Sequence, residues 1–210
     1  MNEVIEYEEV NPINRWDIIN KLIEKNNYKD YLEIGIANPS NNYLKILIEN
    51  KTGVDPNPER LADGVQVQTS NEFFYANEKK FDIIFVDGLH KDFQALMDIE
   101  NALKVLNDDG VIVVHDCFPR DEITVSEDPQ WHISQAWCGT VFRAWIKLRA
   151  SRDDLSMYVV ATDCGCGVIH KGSQEVIEAP DEITWDWYKD TYETALNLKS
   201  VDEFYALEGV

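Results

Sequence analysis

Two apolar stretches of the chain each end in a carboxylate and an imidazole. The first, FDIIFVDGLH, ends in Asp87 and His90, and the second, VIVVHD, ends in His115 and Asp116. Carboxylates and imidazoles are the side chains that transfer protons near neutral pH. Short apolar runs bounded by polar residues predict buried strands, and ligands bind beyond the carboxyl ends of parallel strands. We therefore expect these four side chains to lie together at a ligand-binding edge.

Other residues follow predicted strands at the same edge. Glu33 and Gly35 lie in YLEIGI, Asp55 ends TGVD, and Ser70 follows VQVQT. Glu33 is the most informative, because a carboxylate inside a buried strand has to be paired or to face a ligand cavity. Asp55 is placed to take both hydroxyls of a ribose, and its alternative is a turn before proline. Ser70 is either a ligand contact or the N-cap of the next helix.

The cysteines raise a competing interpretation. Cys164, Cys166 and His170 are all zinc-type ligands, but the spacing is Cys-x-Cys instead of Cys-x-x-Cys and no second pair follows. Cys117 and Cys138 are isolated. Four cysteines in a chain of 210 residues do not indicate a disulfide framework. Buried or turn cysteines are the better interpretation.

The elements that must position these residues alternate between strand and helix. The predicted strands begin at residues 31, 51, 65, 81 and 111, and the predicted helices between them span about 40–50, 70–80 and 92–106. Repeated βα units with apolar strands predict a parallel, doubly wound sheet with helices on both faces. A helix at about 12–27 precedes this core. An aromatic-rich helical extension at about 181–207 follows it and favours packing or a homodimer.

The end of the core departs from this alternation. The runs LSMYVVATD and CGCGVIHKG are almost contiguous, and parallel neighbours need a crossover of a dozen or more residues. The pair must therefore be an antiparallel hairpin. We expect an α/β fold, with residues 1–210 as one domain and a core at about 30–172. The long polar segment 119–137, which carries Trp131, His132 and Trp137, is typical of a lid.

Composition limits the partners of the protein. Thirty-nine acidic residues against 19 basic ones give a formal net charge of −20, which disfavours nucleic acid and anionic membranes because both are polyanions. No apolar run approaches the ~20 residues of a membrane span, and the N-terminus lacks the basic and apolar regions of a signal peptide. We expect a cytoplasmic protein with a small-molecule partner.

Five segments together resemble the class I S-adenosylmethionine-dependent methyltransferases. They are YLEIGIANPSNN, TGVDPNP, TSNEFF, the run from FDIIFVDGLH to VVHDCFP, and DCGCGVIHKG, covering about residues 30–172. More narrowly they resemble the bacterial methyltransferase type 24 group, related to sugar and macrolide O-methyltransferases. The resemblance implies a seven-stranded sheet whose last strand is antiparallel. It also implies that Glu33 and Gly35 lie by the methionine portion of the cofactor, Asp55 by its ribose and Ser70 near its adenine.

The resemblance further implies the chemistry of the two acid-imidazole blocks. In metal-assisted relatives, residues that end strands four and five hold a divalent ion, which draws a substrate hydroxyl toward its alkoxide form. Asp87, His115 and Asp116 occupy those positions, although Mg²⁺ prefers oxygen ligands. Asp87 also borders the cofactor, and His90 stands where a general base would take the hydroxyl proton. The structural alternative is that Asp87 caps the next helix and His90 bonds to backbone.

One loop departs from the family pattern. The first loop of such enzymes is glycine-rich, whereas EIGIANPSNNY keeps only Gly35. The absence of G-x-G-x-x-G also argues against a dinucleotide site. We therefore expect an S-adenosylmethionine-dependent methyltransferase that acts on a hydroxyl of a small molecule, assisted by Mg²⁺ or another divalent cation. The alternative is a non-catalytic binding module or assembly subunit with the same fold.

Overall fold

The computed structural model describes residues 3–57, 59, 62–134 and 136–210. Eight strands form the sheet: β1 (Asp30–Ile34), β2 (Asn50–Asp55), β3 (Val65–Val67), β4 (Phe81–Val86), β5 (Leu106–Val114), β6 (Leu155–Val160), β7 (Cys166–Lys171) and β8 (Leu198–Lys199). The α-helices are α1 (Arg15–Asn26), α2 (Ser70–Ala76), α3 (Asp92–Val105), α4 (Val141–Ser151), α5 (Trp185–Leu196) and α6 (Val201–Glu208). Short 3-10 helices occupy Tyr43–Lys45 and Glu122–Val125.

The strand order is β3-β2-β1-β4-β5-β7-β6-β8. Strands β1 to β5 pair in parallel, and β7 runs antiparallel to both β5 and β6. The predicted mostly parallel sheet and its terminal hairpin are confirmed. The strand that the sequence did not predict is β8, a two-residue edge strand parallel to β6. Because β6 is antiparallel to β7, it points the same way as β5, and the ends of both strands reach the same edge.

Both faces of the sheet are buried, which explains the unbroken apolar runs of its central strands. Side chains of a strand alternate between faces, so Ile84 and Ile112 enter one core cluster while Ile83 and Val113 enter the other. Helices cover each face, as the doubly wound prediction requires. The polar residues that end β4 and β5 thus project from a rigid, desolvated platform.

The helix predicted at about 40–50 is wrong, because the segment contains only the single 3-10 turn at Tyr43–Lys45. Polar contacts with α1 hold the rest of this segment in an irregular conformation. The Asn20 side chain donates to the Lys45 carbonyl at 3.0 Å and accepts from the Leu47 amide at 2.7 Å. Tyr43 and Ile46 are buried in the core, whereas Leu44 and Leu47 remain exposed.

The C-terminal extension predicted at about 181–207 contains two helices, with β8 between them. Asn197 ends α5 in the left-handed conformation, with φ 51°, and Ser200 caps α6. Among the described residues, no helix has the length and apolarity needed to cross a membrane.

Candidate active site

The backbone after β1 lies directly against the end of β4. Gly35 has φ +85°, and a Cβ built there would lie 2.0 Å from the Asp87 carbonyl oxygen. Its amide donates to the Val54 carbonyl of β2 at 2.9 Å. Only glycine fits this conformation and this close approach without strain. Gly35 therefore fixes the gap between the first loop and the end of β4.

The four acid-imidazole residues meet at this edge, as the sequence predicts. His90 Nε2 lies 3.2 Å from Asp87 Oδ1 and 3.3 Å from Asp116 Oδ2. His115 Nδ1 lies 3.0 Å from Asp116 Oδ2 and 3.5 Å from Asp87 Oδ1. Asp116 is buried and has φ 60°, a left-handed conformation that turns the chain back after β5. Both carboxylates therefore contact both imidazoles.

Two residues that the sequence interpretation missed complete this cluster. Arg15 Nη1 donates to Asp87 Oδ2 at 3.1 Å, while its Nε and Nη2 donate to the two Asp163 oxygens at 2.9 and 3.0 Å. Asp163 Oδ1 also lies 3.5 Å from His115 Nε2. A signal for Asp163 was present, since it follows β6, which ends at the same edge as β5. No sequence pattern pointed to Arg15, because α1 reaches this edge of the sheet only through tertiary packing.

The six side chains balance one another electrostatically. Burial alone would raise the pKa of Asp87, but the charge of His115 holds it well below its usual range. Burial likewise works against ionisation of Asp163, yet its close contact with His115 and its hydrogen bonds from Arg15 lower its pKa. Burial alone would lower the pKa of His115, but the charges of Asp116 and Asp87 raise it well above the ordinary value. The resting cluster therefore favours ionised Asp87 and Asp163 beside cationic Arg15 and His115.

His90 is held as a double donor. Its Nδ1 donates to the Trp137 carbonyl at 2.8 Å, and its Nε2 faces the two carboxylates. Its ring stacks on Trp137 with centroids 4.9 Å apart. Burial lowers the pKa of His90, but the hydrogen bond to Asp87 and the charge of Asp116 outweigh it and raise the pKa to about 9. A protonated imidazole cannot accept a proton, so the general-base prediction requires that Nε2 first lose these partners.

Asp87, His90 and Asp116 also form a candidate ligand set for a cation. Each offers one ligand atom, and these atoms lie within 4.8 Å of one another. Two carboxylates and an imidazole fit a divalent transition metal better than Mg²⁺, which favours oxygen ligands. His115, in the predicted ligand set, groups with Asp163 and Cys166 in a second arrangement.

Glu33 lies one strand away, in a separate buried cluster. It accepts hydrogen bonds from Tyr31 Oη at 2.5 Å and from Asn42 Nδ2 at 3.0 Å, and is only 1% exposed. Burial raises its pKa to about 8, against the lowering effect of the Tyr31 hydrogen bond. The buried Asn42 Oδ1 has no hydrogen-bond partner among the described residues. This unpaired acceptor beside a carboxyl group fits a cationic amine such as that of S-adenosylmethionine.

Asp55 organises the first loop. Its Oδ2 accepts from the Ile36 and Ala37 amides at 2.9 and 3.1 Å, and its Oδ1 accepts from Asn57 at 2.8 Å. Ala37 has φ 47°, a strained value for a residue with a side chain. Asp55 is buried, and these hydrogen bonds show that it holds the loop in place. It also lies at the position where the ribose is predicted. A carboxylate has further lone pairs for ribose hydroxyls.

Ser70 is the first residue of α2, and the N-cap of that helix is Thr69. The N-cap alternative for Ser70 is therefore wrong. Its hydroxyl accepts from Gln94 Nε2 at 3.3 Å, and Gln94 also donates to the buried Asp98 at 2.9 Å. Ser70 is thus tied to α3 at the side of the edge where adenine is predicted.

The segment predicted as a lid contacts the cluster through Trp137. The Trp137 indole donates to the Ser126 carbonyl at 2.8 Å and packs edge-on against Trp131, with ring centroids 6.4 Å apart. Trp131 and His132 are exposed, and Gln135 lies outside the described residues. The segment therefore presents aromatic surface to solvent beside His90.

Comparison with known proteins adds a match of part of the chain to a family model, and a shared fold. Residues 39–117 match the family model Methyltransf_24, a methyltransferase domain. The matched segment runs from the loop after β1 to the residue after Asp116. No curated protein sequence matches the chain.

Solved structures share the architecture. The methyltransferase PaMTH1 of Podospora anserina, bound to SAH, is 18% identical with a TM-score of 0.59, over 76% of this chain and 78% of that chain. The O-methyltransferase of Bacillus cereus in complex with SAH is 17% identical with a TM-score of 0.52, over 79% and 82%. TomG of Streptomyces achromogenes, an O-methyltransferase involved in tomaymycin synthesis and solved with SAM, is 14% identical with a TM-score of 0.54, over 76% and 80%. The family match and the fold are consistent with a class I methyltransferase.

Proposed function

We propose that the protein is an S-adenosylmethionine-dependent methyltransferase that methylates a hydroxyl group of a small molecule. The observation that carries this proposal is the contact between Gly35 and the end of β4, which sets a narrow backbone gap beside two carboxylates and two imidazoles. A cofactor on the first loop would lie next to these groups. Transfer needs little more than alignment, which can supply much of the rate of a two-reactant step.

Residues of the first loop would hold the cofactor. S-adenosylmethionine supplies a methyl group on a sulfonium centre together with an amine and a ribose. Asn42 Oδ1, which is unpaired, and the Glu33 carboxyl would accept from the amine. Asp55 would bind the ribose while it holds the Ile36 and Ala37 amides. The net charge of −20 favours a cationic cofactor over an anionic one.

The acid-imidazole cluster would manage the proton of the acceptor hydroxyl. An acceptor, or a divalent cation held by Asp87 and Asp116 without His90, would draw the two carboxylates away from His90 Nε2. The pKa of His90 would then fall from about 9 toward its ordinary range, and its freed Nε2 could take the hydroxyl proton. Nδ1 keeps its proton on the Trp137 carbonyl, which orients the ring. His90 is thus the base, and Asp87 and Asp116 position the acceptor or the cation.

The aromatic surface of Trp131 and Trp137 supports a ring-shaped acceptor, a sugar or a phenol, because aromatic faces stack on both. We also propose that the protein acts in the cytoplasm and that its partner there is a small molecule. Homodimerisation through the C-terminal helices remains a proposal of the same kind.

Transfer of a labelled methyl group tests this function. The purified protein is incubated with methyl-labelled S-adenosylmethionine and small-molecule extracts, with and without chelator, and products are separated from protein. The proposal expects label in a small molecule, loss of labelling on chelation and recovery with Mg²⁺ or Mn²⁺. Labelling that survives chelation would show that transfer needs no metal ion, and His90 would then act alone as the base. Cofactor binding without any transfer would instead favour the non-catalytic module.

A further inference from the structure

We propose that Asp116, Cys138 and Cys164 form a binding site for a thiophilic divalent cation, and we assign zinc to it on the chemistry of its ligands. The three residues each offer one ligand atom, and these atoms lie within 4.8 Å of one another. This site goes beyond the proposed methyl transfer and beyond the cation predicted at Asp87, His115 and Asp116.

The zinc alternative considered from the sequence used Cys164, Cys166 and His170 as ligands, and the structure corrects this set. His170 Nε2 contacts Glu208 at 2.9 Å, and His170 pairs in the sheet with Val111, three residues before the end of β5. Cys166 lies inside β7 and groups with His115 and Asp163. Cys164 lies before β7, in the turn, and its partner is Cys138, 26 residues earlier. Cysteine spacing along the chain could not identify the pair Cys138 and Cys164, because only the fold brings these two residues together.

Three separate segments deliver the ligands, and backbone hydrogen bonds hold these segments together. Asp116 follows β5, Cys138 precedes α4, and Cys164 lies in the β6–β7 turn. The Phe118 amide donates to the Cys164 carbonyl at 2.9 Å, which ties the turn to the segment after β5. The Cys138 amide donates to the Thr124 carbonyl at 3.0 Å. Backbone hydrogen bonds therefore hold the segments of Asp116 and Cys164 together and anchor Cys138 to the 3-10 helix at Glu122–Val125.

The backbone at the ligands is also unusual. Asp116 and Cys164 both have φ 60°, in a region that residues with side chains seldom adopt. Gly165 follows with φ +87°, and a Cβ there would lie 2.3 Å from the Phe118 amide nitrogen. Asp116 and Cys138 are only 4% and 3% exposed. The turn thus packs directly against the segment after β5, which carries Asp116.

The ligand chemistry selects the ion. Thiolates favour zinc and other soft ions, whereas Mg²⁺ takes oxygen ligands. Three protein ligands leave a fourth position of a tetrahedral zinc open, the pattern of sites that admit water or a substrate oxygen. Asp116 also contacts His90 at 3.3 Å and His115 at 3.0 Å, so an ion held here would share a carboxylate with the acid-imidazole cluster.

Metal titration of the full-length, reduced protein tests the site without reference to methyl transfer. One equivalent of Zn²⁺ should bind, and Co²⁺ in its place should give the intense near-ultraviolet absorption of sulfur-to-metal charge transfer. Cys138→Ser and Cys164→Ser should each weaken binding by more than about 100-fold, since even residues that only orient ligands contribute 10- to 100-fold. Cys117→Ala is the matched control, because Cys117 is equally buried but lies outside the ligand set. It should bind Zn²⁺ like the wild type.

A second measurement needs no variant and covers the case in which a substitution prevents folding. Alkylation of the wild-type protein, mapped by peptide mass, should show Zn²⁺ protecting Cys138 and Cys164 together. Three results would overturn the site. They are no zinc binding, zinc binding unchanged in both Cys138→Ser and Cys164→Ser, or zinc binding that is lost in Cys166→Ser while zinc leaves Cys138 and Cys164 open to alkylation. A reduced protein that forms only a Cys138–Cys164 disulfide on addition of oxidant, and takes no metal, would equally overturn it.

Discussion

The guanidinium of Arg15 lies 3.1 Å from the carboxylate of Asp87, which joins the first helix of the chain to the end of the fourth strand. Its other nitrogens hold both oxygens of Asp163 at the end of β6. One side chain thus bridges three elements that are far apart in sequence, and it supplies a fixed positive charge to a cluster otherwise balanced by two imidazoles.

Replacement of Arg15 should destabilise the fold and disturb the cluster. Arg15→Gln leaves Asp87 and Asp163 without their fixed cation, and a hydrogen bond to a charged group contributes about 1.5–3 kcal/mol. We expect denaturant unfolding to show a loss near the lower end of that range, because the pair is partly exposed. Arg152→Gln is the control, since Arg152 holds Asp154 at the surface. It should cost under about 1 kcal/mol, and equal losses in the two variants would refute a special role for Arg15.

His90 should be required for turnover but not for folding. His90→Gln should lower the rate of methyl transfer by roughly 10²–10⁴-fold, the usual contribution of a general base. His132→Gln is the matched control, since His132 is an exposed histidine of the neighbouring segment. Steady-state rates with a confirmed acceptor provide the measurement. A His90→Gln enzyme as fast as the His132 control would leave the proton transfer to water.

Glu33 should make stability depend on pH in a definite direction. Its pKa is about 8 in the folded protein, against about 4.3 for an unfolded chain. The folded state therefore keeps a proton that the unfolded state has lost, and the contribution of Glu33 to the free energy of unfolding declines as pH rises from about 4.3 to 8. One proton limits this decline to about 1.4 kcal/mol per pH unit.

Unfolding free energies of wild type and Glu33→Gln across that interval isolate this effect. The difference between the two should change steadily in favour of the variant as pH rises, and then level off above pH 8. Glu24→Gln, at an exposed position of α1, should track the wild type throughout. A Glu33 difference that does not vary with pH would mean that its carboxyl ionises normally.

Asp55 should affect both the cofactor and the loop. Asp55→Ala should weaken S-adenosylmethionine binding by about 1.5–3 kcal/mol, and it should also lower stability because the Ile36, Ala37 and Asn57 amides lose their acceptor. Calorimetry and denaturant unfolding of the same samples separate the two effects. The exposed Asp63→Ala is the control and should change neither. An unchanged dissociation constant in a folded Asp55 variant would restrict the residue to its loop.

The sheet and its functional edge were predictable because strand periodicity and strand direction are local signals. The runs that end in Asp87 and Asp116 read as buried parallel strands, and parallel strands must bring their ends together. The hairpin followed from the absence of a crossover between β6 and β7. These inferences required no knowledge of tertiary packing.

The rest of the site depends on packing that sequence patterns do not record. Arg15 reaches Asp87 because the apolar face of α1 packs on the sheet, and Cys138 meets Cys164 across a fold that separates them by 26 residues in sequence. The protonation state of His90 could not be predicted from the sequence either. Its ordinary pKa suggested a base, whereas the carboxylates of Asp87 and Asp116 outweigh the effect of burial and keep it a cation at rest.

Calorimetric titration of the purified protein with S-adenosylmethionine and with S-adenosylhomocysteine tests the central claim most directly, because every proposed step requires a cofactor on the first loop. We predict saturable binding of both at one molecule per chain, weakened in Asp55→Ala and unchanged in Asp63→Ala. Absence of binding to either compound at millimolar concentration, in a protein whose unfolding transition proves it folded, would contradict the methyltransferase assignment.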